Sequence, residues 1–237
     1  MRSLLLAFYF WRKIVPASSE TDKPILPDYF WKSNYALWTF VIFQLAMQWG
    51  GQFIAGMYCP QSDLARLAVA QRTSMLISFI LIAINLISSP RFASLYKQGK
   101  QADLKRYAIN STRVMTIFAT PIVMLMVFFP KFVMSFFGTG FAAGAPMLVV
   151  LALGQYINVI TGSVTQLLMM SGHEKDTRNV QIFVGVVCIT LNFVLIKTNG
   201  AFGAAVATAV SVALQNLIFV GMVKKRLGFN TLAIWSK

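Results

Sequence analysis

Acidic residues are scarce in this chain, with seven Asp and Glu against 21 Lys and Arg in 237 residues. All seven (Glu20, Asp22, Asp28, Asp63, Asp103, Glu174 and Asp176) fall in segments that read as loops or linkers. No apolar run therefore holds a carboxylate for a proton or sodium relay, the work that buried acids do in membranes. Histidine occurs once and cysteine twice. His173 stands beside Glu174, Lys175 and Asp176 with no partner at ligand spacing, and reads as a solvated residue. Cys59 and Cys188 have neither metal-like nor disulfide-framework spacing and read as packing residues. With no Walker sequence and no nucleophile constellation, neither an ATP-driven pump nor an enzyme is indicated, and no metal or cofactor is expected. Basic runs interleaved with exposed aromatics are also missing, so the formal net charge of +14 does not point to nucleic acid.

What is present is apolar length. Hydrophobic residues make up 57% of the chain and gather in six segments, each long enough to cross a hydrocarbon core of about 30 Å. They run over about 34–59, 67–89, 109–129, 144–170, 179–196 and 203–223. The loops between them alternate in basic content. Arg12, Lys13, Lys23 and Lys32 precede the first, and Arg91, Lys97, Lys100, Lys105, Arg106 and Arg113 surround the second gap. Lys175 and Arg178 follow the fourth segment, and Lys224, Lys225, Arg226 and Lys237 follow the sixth. The intervening loops carry only Arg66, Lys131 and Lys197. By the positive-inside rule the expectation is an all-α membrane protein, a six-helix transmembrane bundle in the cytoplasmic (inner) membrane, with residues 225–237 as a cytoplasmic tail. The basic ends would also touch anionic phospholipid, at about 1 kcal/mol per residue.

Local signals refine this. The second segment is expected to stop at Pro90, and the stretch Gln101–Ile109 to form a short helix on the inner membrane surface, with Leu104, Tyr107 and Ala108 on one face and Lys105 and Arg106 on another. The short link Lys197–Gly203 makes the last two helices antiparallel neighbours. Gly203, Ala207 and Ser211 form a small-residue packing seam. Leu4–Trp11 is apolar but too short to cross, lacks signal-peptide flanks, and reads as the inner end of a clipped transmembrane helix; residues 1–33 then comprise it and a cytoplasmic linker.

Polar side chains inside the apolar runs are the candidates for a transport path. Gln44, Gln48 and Gln52 recur every four residues in the first segment. In the fourth, Asn158, Thr161, Gly162, Thr165 and Gln166 fall in an arc of roughly 140° at 3.6 residues per turn. Such stripes either wall a hydrated cavity or act as interhelical glue at about 0.6 kcal/mol per bond. Asn110, Arg113, Thr116 and Thr120 share a face leading up to Pro121, a site for a helix kink. Arg113 either meets a phosphate through its guanidinium fork or anchors topology. Arg72 continues an apolar face through Met75, Leu76, Phe79 and Ala83, whereas Ser74, Ser78 and Asn85 lie on another, so snorkelling is its alternative role.

Several runs occur in an order that resembles the polysaccharide flippases of the Wzx type. They are Ala70-Gln71-Arg72, Ile84-Asn85 with the Ser89-Pro90 stop and Arg91 to Tyr96, the turn at Phe137 to Phe141, Leu168 to Glu174, and Gly200 to Thr208. Those flippases share a superfamily with multidrug exporters of the multidrug and toxin extrusion type and with lipid II flippases. Members pair two six-helix bundles or more about a central cavity, and the resemblance covers only the second. It implies transport of a polyprenyl-diphosphate-linked oligosaccharide for O-antigen, capsule or exopolysaccharide synthesis, with a missing N-terminal bundle or a polysaccharide polymerase as partners. It also includes an arginine near Arg72. The alternatives are a drug or cation antiporter of the same superfamily, or a non-transporting remnant or partner subunit.

Overall fold

The computed structural model describes residues 28–229 and residue 231. The apolar segment Leu4–Trp11 lies outside the described residues, as does most of the linker that follows it. The chain divides into residues 1–35 and 36–237; of the first unit, only the opening turns of one helix are described. Every regular element among the described residues is helical: α1 (Asp28–Tyr58), α2 (Gln61–Lys97), α3 (Gln101–Phe128), α4 (Pro130–Ser135), a 3-10 turn (Thr139–Gly144), α5 (Ala145–Ile160), α6 (Val164–Met170) and α7 (Glu174–Leu227). Four stretches are long and apolar enough to cross a membrane: α2, α3, the 3-10 turn with α5, and α7.

The longest helix is in fact two. Straight, the 54 residues of α7 would reach about 80 Å, far beyond any bilayer. Gly200 interrupts them with φ 57° and ψ −142°, a conformation that residues with a Cβ avoid, and the arms 174–199 and 201–227 fold back on each other. Their register is antiparallel throughout. A Cβ at position 203 would lie 1.9 Å from the Leu195 carbonyl oxygen, and at the open end Arg226 meets Asp176 at 2.7 Å. The antiparallel pair expected from the short link is therefore present, joined by a single residue rather than a loop. Of the small-residue seam, Gly203 faces the other arm; Ala209, on a different face of the same arm, touches α5, where a Cβ on Gly154 would come within 2.8 Å of Ala209 Cα.

Three local expectations are corrected. Pro90 does not end α2, which continues to Lys97. The proline removes a single local donor, the one that would reach the Leu86 carbonyl, and the helix carries on through it. The stop comes instead at Gly99, φ 68°, where Gly99 N–H donates to Tyr96 O and Lys100 N–H to Leu95 O, the paired bonds of a Schellman turn. Gln101–Ile109 is not a separate surface helix but the first turns of α3, since nothing in it breaks the helix; Leu104 and Ala108 are buried and Lys105 and Arg106 exposed, as their spacing requires. The segment 144–170 is split: α5 ends at Ile160 and α6 begins at Val164, with Gly162 at φ 78° between them.

The charge alternation becomes a polarity of the bundle. One cluster joins Phe92 and Leu95 of α2, Leu104 of α3, Leu168 of α6 and Phe219 and Leu227 of α7. It gathers the helix ends that bear most of the Lys and Arg. The other large cluster, including Ala55, Leu67, Met134 and Ala201, underlies the basic-poor end. There Arg66 is bound into the fold, donating to the Gly140 carbonyl at 2.9 Å and to Asp63 at 2.7 Å, and Lys197 sits 4.6 Å from the Phe193 ring centre. Asp63, Asp103, Glu174 and Asp176 occupy the first turns of α2, α3 and α7, where the helix dipole favours them.

Candidate functional site

The interior polar groups form a seam along α2. Gln71, Ser74, Ser78 and Asn85 fall on one face at helical spacing, and Gln71 and Ser74 are buried. α1 meets this face through Gln52, whose Nε2 donates to Gln71 Oε1. α5 meets it through Gln155, whose Oε1 accepts from Ser78 Oγ at 2.6 Å and from Asn158 Nδ2 at 3.3 Å. Asn85 Oδ1, nearer the basic end, is buried and has no protein partner. The seam therefore joins three helices by amides and hydroxyls alone.

The sequence candidates distribute around it. Gln52 is half-buried in the seam, while Gln48 and Gln44, one and two turns along α1, are exposed. Asn158 is part of the seam through Gln155. Thr161 is buried and bonds Asn216 of the second α7 arm at 3.3 Å, an interhelical contact. Thr165 and Gln166 are half-buried on α6, beyond the Gly162 break, so they do not extend the α5 face as one continuous helix would. Arg72 is exposed, and it is its neighbour Gln71 that turns inward. Arg113 is half-buried on α3 and engaged by a neighbouring group.

On α3 the path toward Pro121 is lined by a hydroxyl ladder. Thr112, Thr116 and Thr120 each donate to the carbonyl four residues back, at 2.8, 2.9 and 2.7 Å. Thr120 Oγ1 also lies 3.0 Å from the Tyr156 hydroxyl of α5. Pro121 sits inside the helix just past this ladder. Two participants escaped the sequence reading. Gln155 was legible from its three-residue spacing to Asn158, and Gln71 from its three- and seven-residue spacings to Ser74 and Ser78.

Among the described residues no group of His, Cys, Asp or Glu could hold a metal ion. The seam can thus offer neutral hydrogen bonds. Its strength is testable at Thr161. A double-mutant cycle of Thr161→Val and Asn216→Leu, read by unfolding in detergent, should return a coupling of about 0.6 kcal/mol, the average for such bonds in membranes.

Compared with known proteins, residues 39–196 match the family model described as MatE. That span runs from α1 through the first arm of α7. No curated protein and no solved structure is matched by the chain.

Proposed function

Because the chain belongs to the MatE family of membrane transporters, and with it to the superfamily of multidrug, oligosaccharidyl-lipid and polysaccharide exporters, we propose that it serves the export of a polyprenyl-diphosphate-linked oligosaccharide across the cytoplasmic membrane. The observation that carries this reading is the chemistry of the seam. Amides and hydroxyls on α1, α2 and α5, with Arg113 on α3, suit sugar hydroxyls and a diphosphate. A cation carrier would instead need buried carboxylate, and the acids of the described helices stay in first turns.

In this reading the bundle crosses the membrane six times: α1, α2, α3, the α5–α6 pair and the two arms of α7. The basic end faces the cytoplasm, and residues 34–224 form one wall of a cavity completed by a second bundle. Gln44, Gln48 and Gln52 would border that cavity. So would Asn158, Thr165 and Gln166, while Pro121 lets α3 bend around it.

Complementation of a flippase deletion by the chain with its second bundle tests the proposal. Arg113→Ala should lower surface polysaccharide roughly ten- to a hundredfold, the equivalent of one charge-assisted bond of about 1.5–3 kcal/mol, at unchanged protein level. Arg72→Ala should have a weaker effect. Normal polysaccharide from both variants would remove the arginines from the path.

A further inference from the structure

The hairpin that joins α2 to α3 borders an open groove of about 560 Å³ at the basic end of the bundle. α2 contributes Arg91 and Ser94, the turn contributes Lys100, and α3 contributes Asp103, Arg106 and Asn110. The groove stands on a fixed base. The Schellman turn at Gly99 sets where Lys100 leaves the backbone, and beneath it Phe92 packs edge-to-face on Tyr107 with ring centres 5.6 Å apart. Leu95 and Leu104 are buried in the same cluster.

Its charge is only partly compensated. Three cations less one carboxylate leave a formal +2. Among the described residues none of the three lies within 4.0 Å of a carboxylate oxygen, whereas Arg66 and Arg226 elsewhere are ion-paired. Two guanidiniums and an ammonium converging from two helices, with serine and asparagine donors between them, match the several oxygens of a phosphoryl group. Basic pockets between membrane helices at their cytoplasmic side hold lipid phosphates in this way.

The surroundings specify an amphiphile rather than a soluble phosphate. One turn before Arg91 on the same face of α2 is Ile87, 72% exposed. One and two turns beyond Asn110 on the same face of α3 are Val114 and Ile117, 44% and 63% exposed. A molecule with its anionic end in the groove would therefore lay an apolar tail along residues that already face the hydrocarbon. We propose that this groove binds the doubly charged phosphate or diphosphate headgroup of a membrane lipid, with Arg91, Lys100 and Arg106 on its oxygens. The proposal needs the membrane placement but not the export reading.

The test uses the purified full chain in phosphatidylcholine nanodiscs, titrated separately with a short-chain polyprenyl diphosphate and with phosphatidic acid and read by native mass spectrometry. Arg91→Gln with Arg106→Gln should weaken binding of one or both lipids at least tenfold. Lys224→Gln with Lys225→Gln, which removes equal charge outside the groove, should change it less than twofold. All four positions are exposed, and unchanged thermal unfolding would confirm that the fold persists. Equal losses in both variants, or none in either, would overturn the site. Groove-dependent binding of the diphosphate lipid alone identifies a carrier lipid as the occupant, and equal binding of phosphatidic acid identifies bulk phospholipid. Groove-dependent binding without polysaccharide rescue would keep this site and discard the export reading.

Discussion

Gly203→Ala is expected to leave little folded protein in the membrane. The added methyl would sit 1.9 Å from the Leu195 carbonyl oxygen and 2.4 Å from its carbon, and both belong to backbone that cannot rotate aside. Relief requires the two α7 arms to separate. Separation would disturb the contacts that depend on their register, including the Arg226–Asp176 pair and the touch of Ala209 on Gly154. The expected loss is at least about 3 kcal/mol, the upper end of the overpacking range. Gly221→Ala on the same arm supplies the control. Nothing lies within 4 Å of its Cβ, so the helix should gain about 0.5–1 kcal/mol from the lower backbone entropy of alanine. Chemical denaturation in detergent, with the folded fraction scored by gel filtration, separates the two. Similar stability for both variants would mean that the arms are not packed as described.

Gly162→Ala should be nearly as damaging, for two separable reasons. The residue holds φ 78°, which costs an alanine about 1–2 kcal/mol, and its Cβ would lie 2.1 Å from Thr112 Oγ1 of α3. Together these predict a loss of about 3 kcal/mol. Thr112→Ala on its own should cost little, since its hydroxyl bonds only the Ala108 carbonyl of its own helix. Combined with Gly162→Ala it should recover most of the steric part, leaving only the Cβ of residue 112 at 3.1 Å, and leave the backbone part. Additive losses in the double variant would show that the α5–α6 break does not rest on Thr112. Because this break sets the direction of α6, transport should fall with Gly162→Ala even in the fraction that folds.

Gly162 also marks where reading the chain in one dimension failed. Helix existence was legible, because an apolar run of about 20 residues flanked by charge has few other solutions. Helix ends were not. Pro90 is the stronger breaker by propensity, yet α2 passes through it, since the backbone bond it removes is a single local one. Gly162 looks mild, yet it ends α5, because a close approach to α3 is possible only where a residue lacks a Cβ. The site shows the same division. Spacing placed Ser74, Ser78 and Asn85 on one face of α2 and Asn158 on α5. Spacing could not say that Gln71 rather than Arg72 turns inward, or that Thr161 is committed to Asn216.

By itself the sequence determined the class of protein and the polarity of its bundle. Long apolar runs must leave water, and the alternation of Lys and Arg places consecutive helix ends on opposite sides. Only the tertiary structure decided which polar groups join which helices, where α5 gives way to α6, and that Arg91, Lys100 and Arg106 share one groove. The physical reason is distance along the chain. Burial and membrane crossing are set by each segment's own composition, whereas a hydrogen bond from Ser78 to Gln155, or a backbone contact at Gly203, depends on how separate helices turn toward each other.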